Sequence, residues 1–286
     1  MKYTIIEDIE AICVFLKIGI QELADNLKVS RSTIYRIIQG QTYPSDLFLE
    51  SFYSFAYDNK FRKIDFNSLK IKLAQEQCKS ILFHGAKAEI QGDIDLSHSR
   101  LNVDIGKGFY LGEDFFQSSS YIFANKKSSI YVFDATGLEK LKVLELPISI
   151  DWMLIVCYYR GQLEKYKNHP MIKNLIEKVE SSDVVIAPIA DNNMYEIINQ
   201  FSRGDITDLQ ATIALSASHL GNQHVLKTEK ACQSIKAINR LYLCSKERTD
   251  IEVERRKAAL EAAEKAQHSI EEFRRKGKYI DELFNE

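Results

Sequence analysis

The chain has 286 residues, 45% hydrophobic and 10% aromatic, enough for one large domain or two ordinary ones around a packed core, which excludes a disordered chain. Its formal net charge of −2 excludes a global field drawing it onto nucleic acid or an anionic membrane, so any such contact has to be local. The five cysteines (Cys13, Cys78, Cys157, Cys232, Cys244) never form a Cys-x-x-Cys pair, and the six histidines include no pair at helical ligand spacing, so neither a disulfide framework nor a metal site is expected.

The opening Met1-Lys2-Tyr3-Thr4-Ile5-Ile6-Glu7-Asp8 lacks the basic-then-apolar layout of a signal peptide, and a cytoplasmic location is expected. Residues 1–65 read as an all-α domain. Ile20 to Leu27 forms one amphipathic helix and Ser30 to Gln39 another, with Lys28-Val29 between them. Ser30 is a good N-cap because its hydroxyl can accept a bond from an N–H of the first turn. Gly40 ends the second helix and Pro44 follows. Helix, short turn and a helix opening Ser30-Arg31-Ser32-Thr33-Ile34-Tyr35-Arg36 resemble a helix-turn-helix of the phage-repressor type, over roughly residues 7–57. The resemblance includes Ile20-Gln21-Glu22-Leu23-Ala24 before the turn and Gln39-Gly40-Gln41-Thr42-Tyr43-Pro44 after the helix. It implies that Arg31, Ser32, Thr33 and Arg36 face DNA, while Ile34, Ile37 and Ile38 hold the helix to its domain. The alternative is a helical docking module without DNA affinity. The segment is slightly acidic, and strong DNA binding needs several phosphate contacts.

Residues 79–243 change to a mixed α/β texture. Short apolar runs at 80–83, 129–133, 143–146 and 183–187 read as strands, and helical patterns come at 171–181, 194–200 and 207–216. The run from Ile148 to Tyr159 contains Asp151 and is too short to span a bilayer, so no membrane contact is expected. Its unbroken apolar character reads as a buried strand, with a helix over Asp151–Tyr159 as the alternative. Residues 245–286 are dominated by charge and alanine. Ala258, Ala259, Ala262, Ala263 and Ala266 favour helix, and Glu261 and Lys265 stand at a supportive i,i+4 spacing. One long C-terminal helix is expected, either packed through Leu260, Ile270 and Phe273 or held out as an interaction arm.

The chemistry concentrates between Ile81 and Ala124. Phe83-His84-Gly85 is followed by Asp104-Ile105-Gly106-Lys107-Gly108-Phe109-Tyr110-Leu111, then by Ser118-Ser119-Ser120-Tyr121. A glycine-bracketed strand entry carrying one tyrosine, with a second eleven residues on, fits a cleft that sandwiches a flat heterocycle. Stacking of that kind adds about 0.5–1.5 kcal/mol beyond burial, and a pyridinium ring gains further by cation–π attraction. The pattern points to nicotinamide, with NAD as a substrate. Gly106-Lys107-Gly108 is too short for a Walker phosphate loop and is not a Rossmann fingerprint.

In this order and spacing the motifs are similar to the His-Tyr branch of the ADP-ribosyltransferases, which includes poly-ADP-ribose polymerases and the diphtheria-toxin group. The stretches 183–191 and 221–231 resemble a bacterial, toxin–antitoxin-associated set of such domains. The resemblance covers approximately residues 79–243. It implies an α+β chain: an all-α helix-turn-helix domain, a central split β-sheet domain and a long C-terminal helix. It further implies that His84 bonds a ribose hydroxyl, Gly85 lets backbone approach the nicotinamide amide, Ser118 bonds that amide, and Tyr110 and Tyr121 sandwich the ring. Lys107 would reach the diphosphate. The glutamate of the family's third motif is replaced here, within Asn222-Gln223-His224, by Gln223. A glutamine can bond a ribose hydroxyl but cannot act as a carboxylate base. The departure implies transfer of a single ADP-ribose unit to nucleic acid or protein, with an antitoxin protein as a further partner, or else a nucleotide-binding regulator without chemistry. Asp191, Glu229 and Glu113 are the carboxylates near enough in sequence to compensate.

Overall fold

The computed structural model describes every residue except 61–62, 98, 100–101, 126, 191, 219–220 and 286, and the backbone alone of residue 192. Five helices come first: α1 (Ile5–Leu16), α2 (Ile20–Leu27), α3 (Arg31–Ile38), α4 (Asp46–Asp58) and α5 (Phe66–Gln77). Strands and helices then mix: β1 (Ile81–Ala86), β2 (Phe109–Gly112), α6 (Phe115–Ser120), β3 (Ser129–Asp134), a 3-10 turn (Thr136–Lys140), β4 (Val143–Glu145), α7 (Ile150–Tyr159), α8 (Pro170–Glu180) and β5 (Val184–Pro188). After them come α9 (Asn192–Arg203), α10 (Asp208–Ala217), β6 (Asn222–Leu226), α11 (Glu229–Gln233), β7 (Lys236–Tyr242), α12 (Ser245–Glu272) and α13 (Ile280–Leu283). The class is α+β: N-terminal helices, mixed β-structure and a long C-terminal helix. Among the described residues, no helix is long and apolar enough to cross a membrane.

Two compact units divide the chain, one made of Met1–Gln91, Ser118–Ala135 and Lys236–Val253, the other of the remaining segments. In the first unit, β1 pairs antiparallel with β3, and β3 with β7. Its helices begin and end where local chemistry tells them to. Lys28 adopts a left-handed conformation (φ 55°) to close α2. The Ser30 side chain accepts from Thr33 N at 3.2 Å to open α3. Gly40, at φ 67°, turns the chain so that Gln41 N can reach Arg36 O at 2.9 Å. Ile9, Leu23, Ile34 and Phe52 are fully buried in the core beneath these helices, each contributing about 1.5–3 kcal/mol.

In the second unit, β4 pairs parallel with β5, β5 antiparallel with β6, and β6 antiparallel with β2. The run read as a buried strand is instead helix α7, with Trp152 through Cys157 all buried. A helix surrounded by core on every side shows no period in its sequence, so pattern alone cannot separate it from a buried strand. The helical signal lies at its edge, where the Ser149 side chain accepts from Trp152 N at 3.3 Å and Asp151 occupies the first turn. The C-terminal segment differs too. It makes two helices, and Leu260 is 68% exposed while Ala262 and Ala266 are buried and Ile270 packs against the core. Small residues at i,i+4 let the helix axis lie close to the core, and they turn Leu260 away from it.

Candidate functional site

His84, Gly85, Ser118 and Tyr121 belong to the first unit. On β1, His84 stands opposite Tyr131, which stands opposite Arg240 on β7, so the three share one face of the strands. Arg240 is buried, donates from Nε to Ser129 Oγ at 3.0 Å, and lies 4.1 Å over the Tyr3 ring. Gly85 presents the other face. A Cβ there would come within 2.6 Å of the Ser118 carbonyl oxygen and 3.2 Å of Ile122, so glycine is what lets the strand pack this closely. The Ser118 side chain is buried and donates to Phe83 O at 3.4 Å. Tyr121, just past α6, is 64% exposed.

Lys107, Tyr110 and Gln223 belong to the second unit. Tyr110 pairs with Val225 and Gly112 with Gln223, which puts Tyr110 and Gln223 on the same face of β2 and β6. The loop leading into β2 is braced from several sides. The Tyr110 hydroxyl donates to Gly106 O at 2.7 Å and accepts from Ile105 N at 3.1 Å. Ser99 Oγ accepts from Gly108 N at 2.7 Å and donates to Gly108 O at 2.9 Å. Gly106 has φ 69°, and a Cβ on it would lie 2.3 Å from the Tyr159 ring. Lys227 Nζ donates to Ile105 O at 2.9 Å and to Glu180 at 3.1 Å. Burial lowers the Lys227 pKa, partly offset by Glu180, while burial and the bond to Glu180 raise that of Tyr159. Lys107 is exposed at the tip of this loop.

Gln223 is 7% exposed and donates from Nε2 to Pro188 O at 3.1 Å and to Asp104 Oδ2 at 3.3 Å. Asp104 is buried, and its Oδ1 accepts from Arg160 at 2.5 and 3.1 Å. The Arg160 guanidinium also lies 4.6 Å over the Tyr195 ring. Asp104 and Arg160 are the residues the sequence reading missed. Asp104 stands two positions before Gly106, but its partners lie 56 and 119 residues away. A charge between Val103 and Ile105 was the one available signal.

The other carboxylates lie elsewhere. Glu113 accepts from His224 Nε2 at 2.9 Å and Asn222 Nδ2 at 3.4 Å. Those two strand positions alternate with Gln223, so Glu113 serves the opposite face. Glu229 accepts from Leu96 N at 3.3 Å, and Asp191 lies outside the described residues. In the N-terminal helices, Arg31, Ser32 and Arg36 are exposed and Thr33 is half-buried, while Ile34 and Ile37 are buried and Ile38 partly so. Arg31 donates to the Tyr35 hydroxyl at 3.0 Å.

Residues 80–237 match the family model described as Protein of unknown function (DUF3990), more than half of the chain. The chain belongs to DUF3990. Its DUF3990 portion carries both glycine motifs, both tyrosines and Gln223. No curated protein and no solved structure matches the chain.

Proposed function

We propose that this DUF3990 chain cleaves NAD and transfers one ADP-ribose unit to a macromolecule, either nucleic acid or protein. The observation that carries the reading is Tyr110 and Gln223 on one strand face, beside a glycine loop braced by Tyr110, Ser99, Lys227 and Tyr159. Nicotinamide leaves with the electron pair of its bond to C1′, and the ribose becomes oxocarbenium-like. The acceptor then attacks C1′ and releases a proton. Tyr110 packs against the core of the second unit with its hydroxyl fixed on the glycine loop. A pyridinium would therefore meet only the part of this half-buried ring left open, and hydrogen-bond acceptors support the transient positive charge. Gln223 supplies an acceptor but no carboxylate, which favours a single transfer over chain growth. The family resemblance assigns His84, Gly85, Ser118 and Tyr121 of the first unit to orienting a dinucleotide, and Lys107 of the second to a diphosphate. The toxin-associated resemblance favours a cytoplasmic toxin or defence effector with an antitoxin partner.

The testing experiment is incubation of the purified chain with adenine-labelled NAD and with separate nucleic-acid and protein fractions. Label is expected in one fraction as single ADP-ribose units. A ladder of growing polymers, or no transfer to either fraction, contradicts the proposal. A second reading, a DNA-bound regulator that holds a nucleotide without chemistry, is favoured by the exposed Arg31 and Arg36 on α3. It predicts salt-dependent DNA binding, weakened in Arg31→Ala/Arg36→Ala, and a thermal shift with NAD but no nicotinamide release.

A further inference from the structure

A side-chain amide has one edge that donates and one that accepts, and a ligand meets whichever edge the protein leaves open. Both Gln223 N–H groups turn inward, to Asp104 Oδ2 at 3.3 Å and Pro188 O at 3.1 Å. Its Oε1 accepts no hydrogen bond among the described residues, although the residue is more than nine-tenths buried. A carboxylate and a backbone carbonyl can only accept, so their pairing fixes which way round the amide stands. Arg160 in turn fixes Asp104 through the other oxygen, Oδ1. Because that guanidinium sits 2.5 Å from the carboxylate, it offsets most of the charge felt at longer range. What Asp104 supplies is therefore orientation more than field.

We infer that Asp104 is a positioning residue that locks the Gln223 amide with Oε1 outward, and that this oxygen takes a hydroxyl donor, a ribose hydroxyl of NAD. The assignment of that ligand rests on the NAD-cleaving reading. An outward oxygen offers a hydroxyl the same polarity that a glutamate would, while an outward N–H edge would donate to the hydroxyl oxygen and leave its hydrogen without an acceptor. The carboxylate missing from the third motif is thus still present, one residue behind the amide it orients.

Three full-length variants test the inference: Asp104→Asn, Gln223→Glu and the exchange Asp104→Asn/Gln223→Glu. Asp104→Asn frees the amide to flip, and kcat for nicotinamide release should fall about tenfold with KM for NAD nearly unchanged. Gln223→Glu sets two carboxylates side by side, so one retains its proton and the pH–rate profile gains an ionisation above the usual carboxylate range. The exchange variant restores one amide against one carboxylate and leaves only Pro188 O facing the new carboxyl at position 223, so it lowers that ionisation and recovers several-fold of the turnover lost in Gln223→Glu. An Asp104→Asn chain as fast as wild type, or an exchange variant no better than Gln223→Glu, overturns the inference. Failure of the wild-type chain to release nicotinamide overturns the NAD reading instead. The contact itself is then read from unfolding: Gln223→Glu should lose stability as pH rises from 5 to 8, and the exchange variant should lose less. Equal pH dependence in the two overturns the contact whatever the activity.

Discussion

Asp8 in the first unit and Asp104 in the second are both buried, at 3% and 4% exposure, and both are paired with a cation, yet their surroundings finish differently. Around Asp8 every group is answered. Lys70 Nζ donates to both Asp8 oxygens at 2.8 Å and to Thr4 Oγ1 at 2.9 Å, and the Tyr53 hydroxyl donates to Asp8 Oδ2 at 2.6 Å. Around Asp104 the chain of bonds runs from Arg160 through the carboxylate to Gln223, and it stops at an amide oxygen that no described residue meets. A closed network is what a fold needs to bury charge at tolerable cost. An open end on a nearly buried side chain is what a ligand needs. Both aspartates are bonded at both oxygens, and the two networks differ at the last acceptor, the Gln223 amide oxygen.

The sharpest way to break this comparison is to remove the cation from the closed network. Lys70→Met leaves a buried carboxylate without its partner and should cost about 3–5 kcal/mol in urea unfolding. Asp104→Asn should cost the fold much less than it costs turnover. Equal losses of stability in the two variants would erase the distinction. Next in size is Gly106→Ala. A left-handed backbone with an intruding methyl 2.3 Å from the Tyr159 ring should cost about 1–3 kcal/mol. Gly161→Ala, at φ 75° but with nothing within 4 Å, isolates the backbone part of that cost.

A third buried carboxyl sharpens the same point. Glu247 accepts from Asn67 Nδ2 at 3.0 Å at both oxygens, and burial pushes its pKa from the usual 4.5 up to about 8, against the bonds from Asn67 and the pull of Arg248. The folded chain therefore holds a proton that the unfolded chain releases between those values. Stability is fully present below pH 4.5 and is lost as pH rises through 8. The slope is at most about 1.4 kcal/mol per pH unit, and Glu247→Gln should flatten it in unfolding measured from pH 5 to 8.

Local chemistry carried most of the fold into the sequence. The Ser30 cap, the Gly40 exit and the apolar runs of β1, β3, β4 and β5 are each signalled within a few residues. Legibility failed where tertiary surroundings decide. In α7 a continuous core removed the periodicity that marks a helix. In α12 the choice between Leu260 and the alanine stripe depended on how closely the helix approaches its neighbours. The site divides in the same way. Gly106, Tyr110 and Gln223 stand in short motifs, but Asp104 acquires its role only when residues 160 and 223 arrive beside it. Register then sorted the carboxylates, because alternation along β6 sends Glu113 to the face opposite Gln223.

The most direct measurement is the release of free nicotinamide from NAD by the purified full-length chain, beside Tyr110→Ala. Steady release by wild type, slowed at least about tenfold in the variant, is the predicted result. Equal rates in the two chains, or no release by wild type at saturating NAD, would contradict the account.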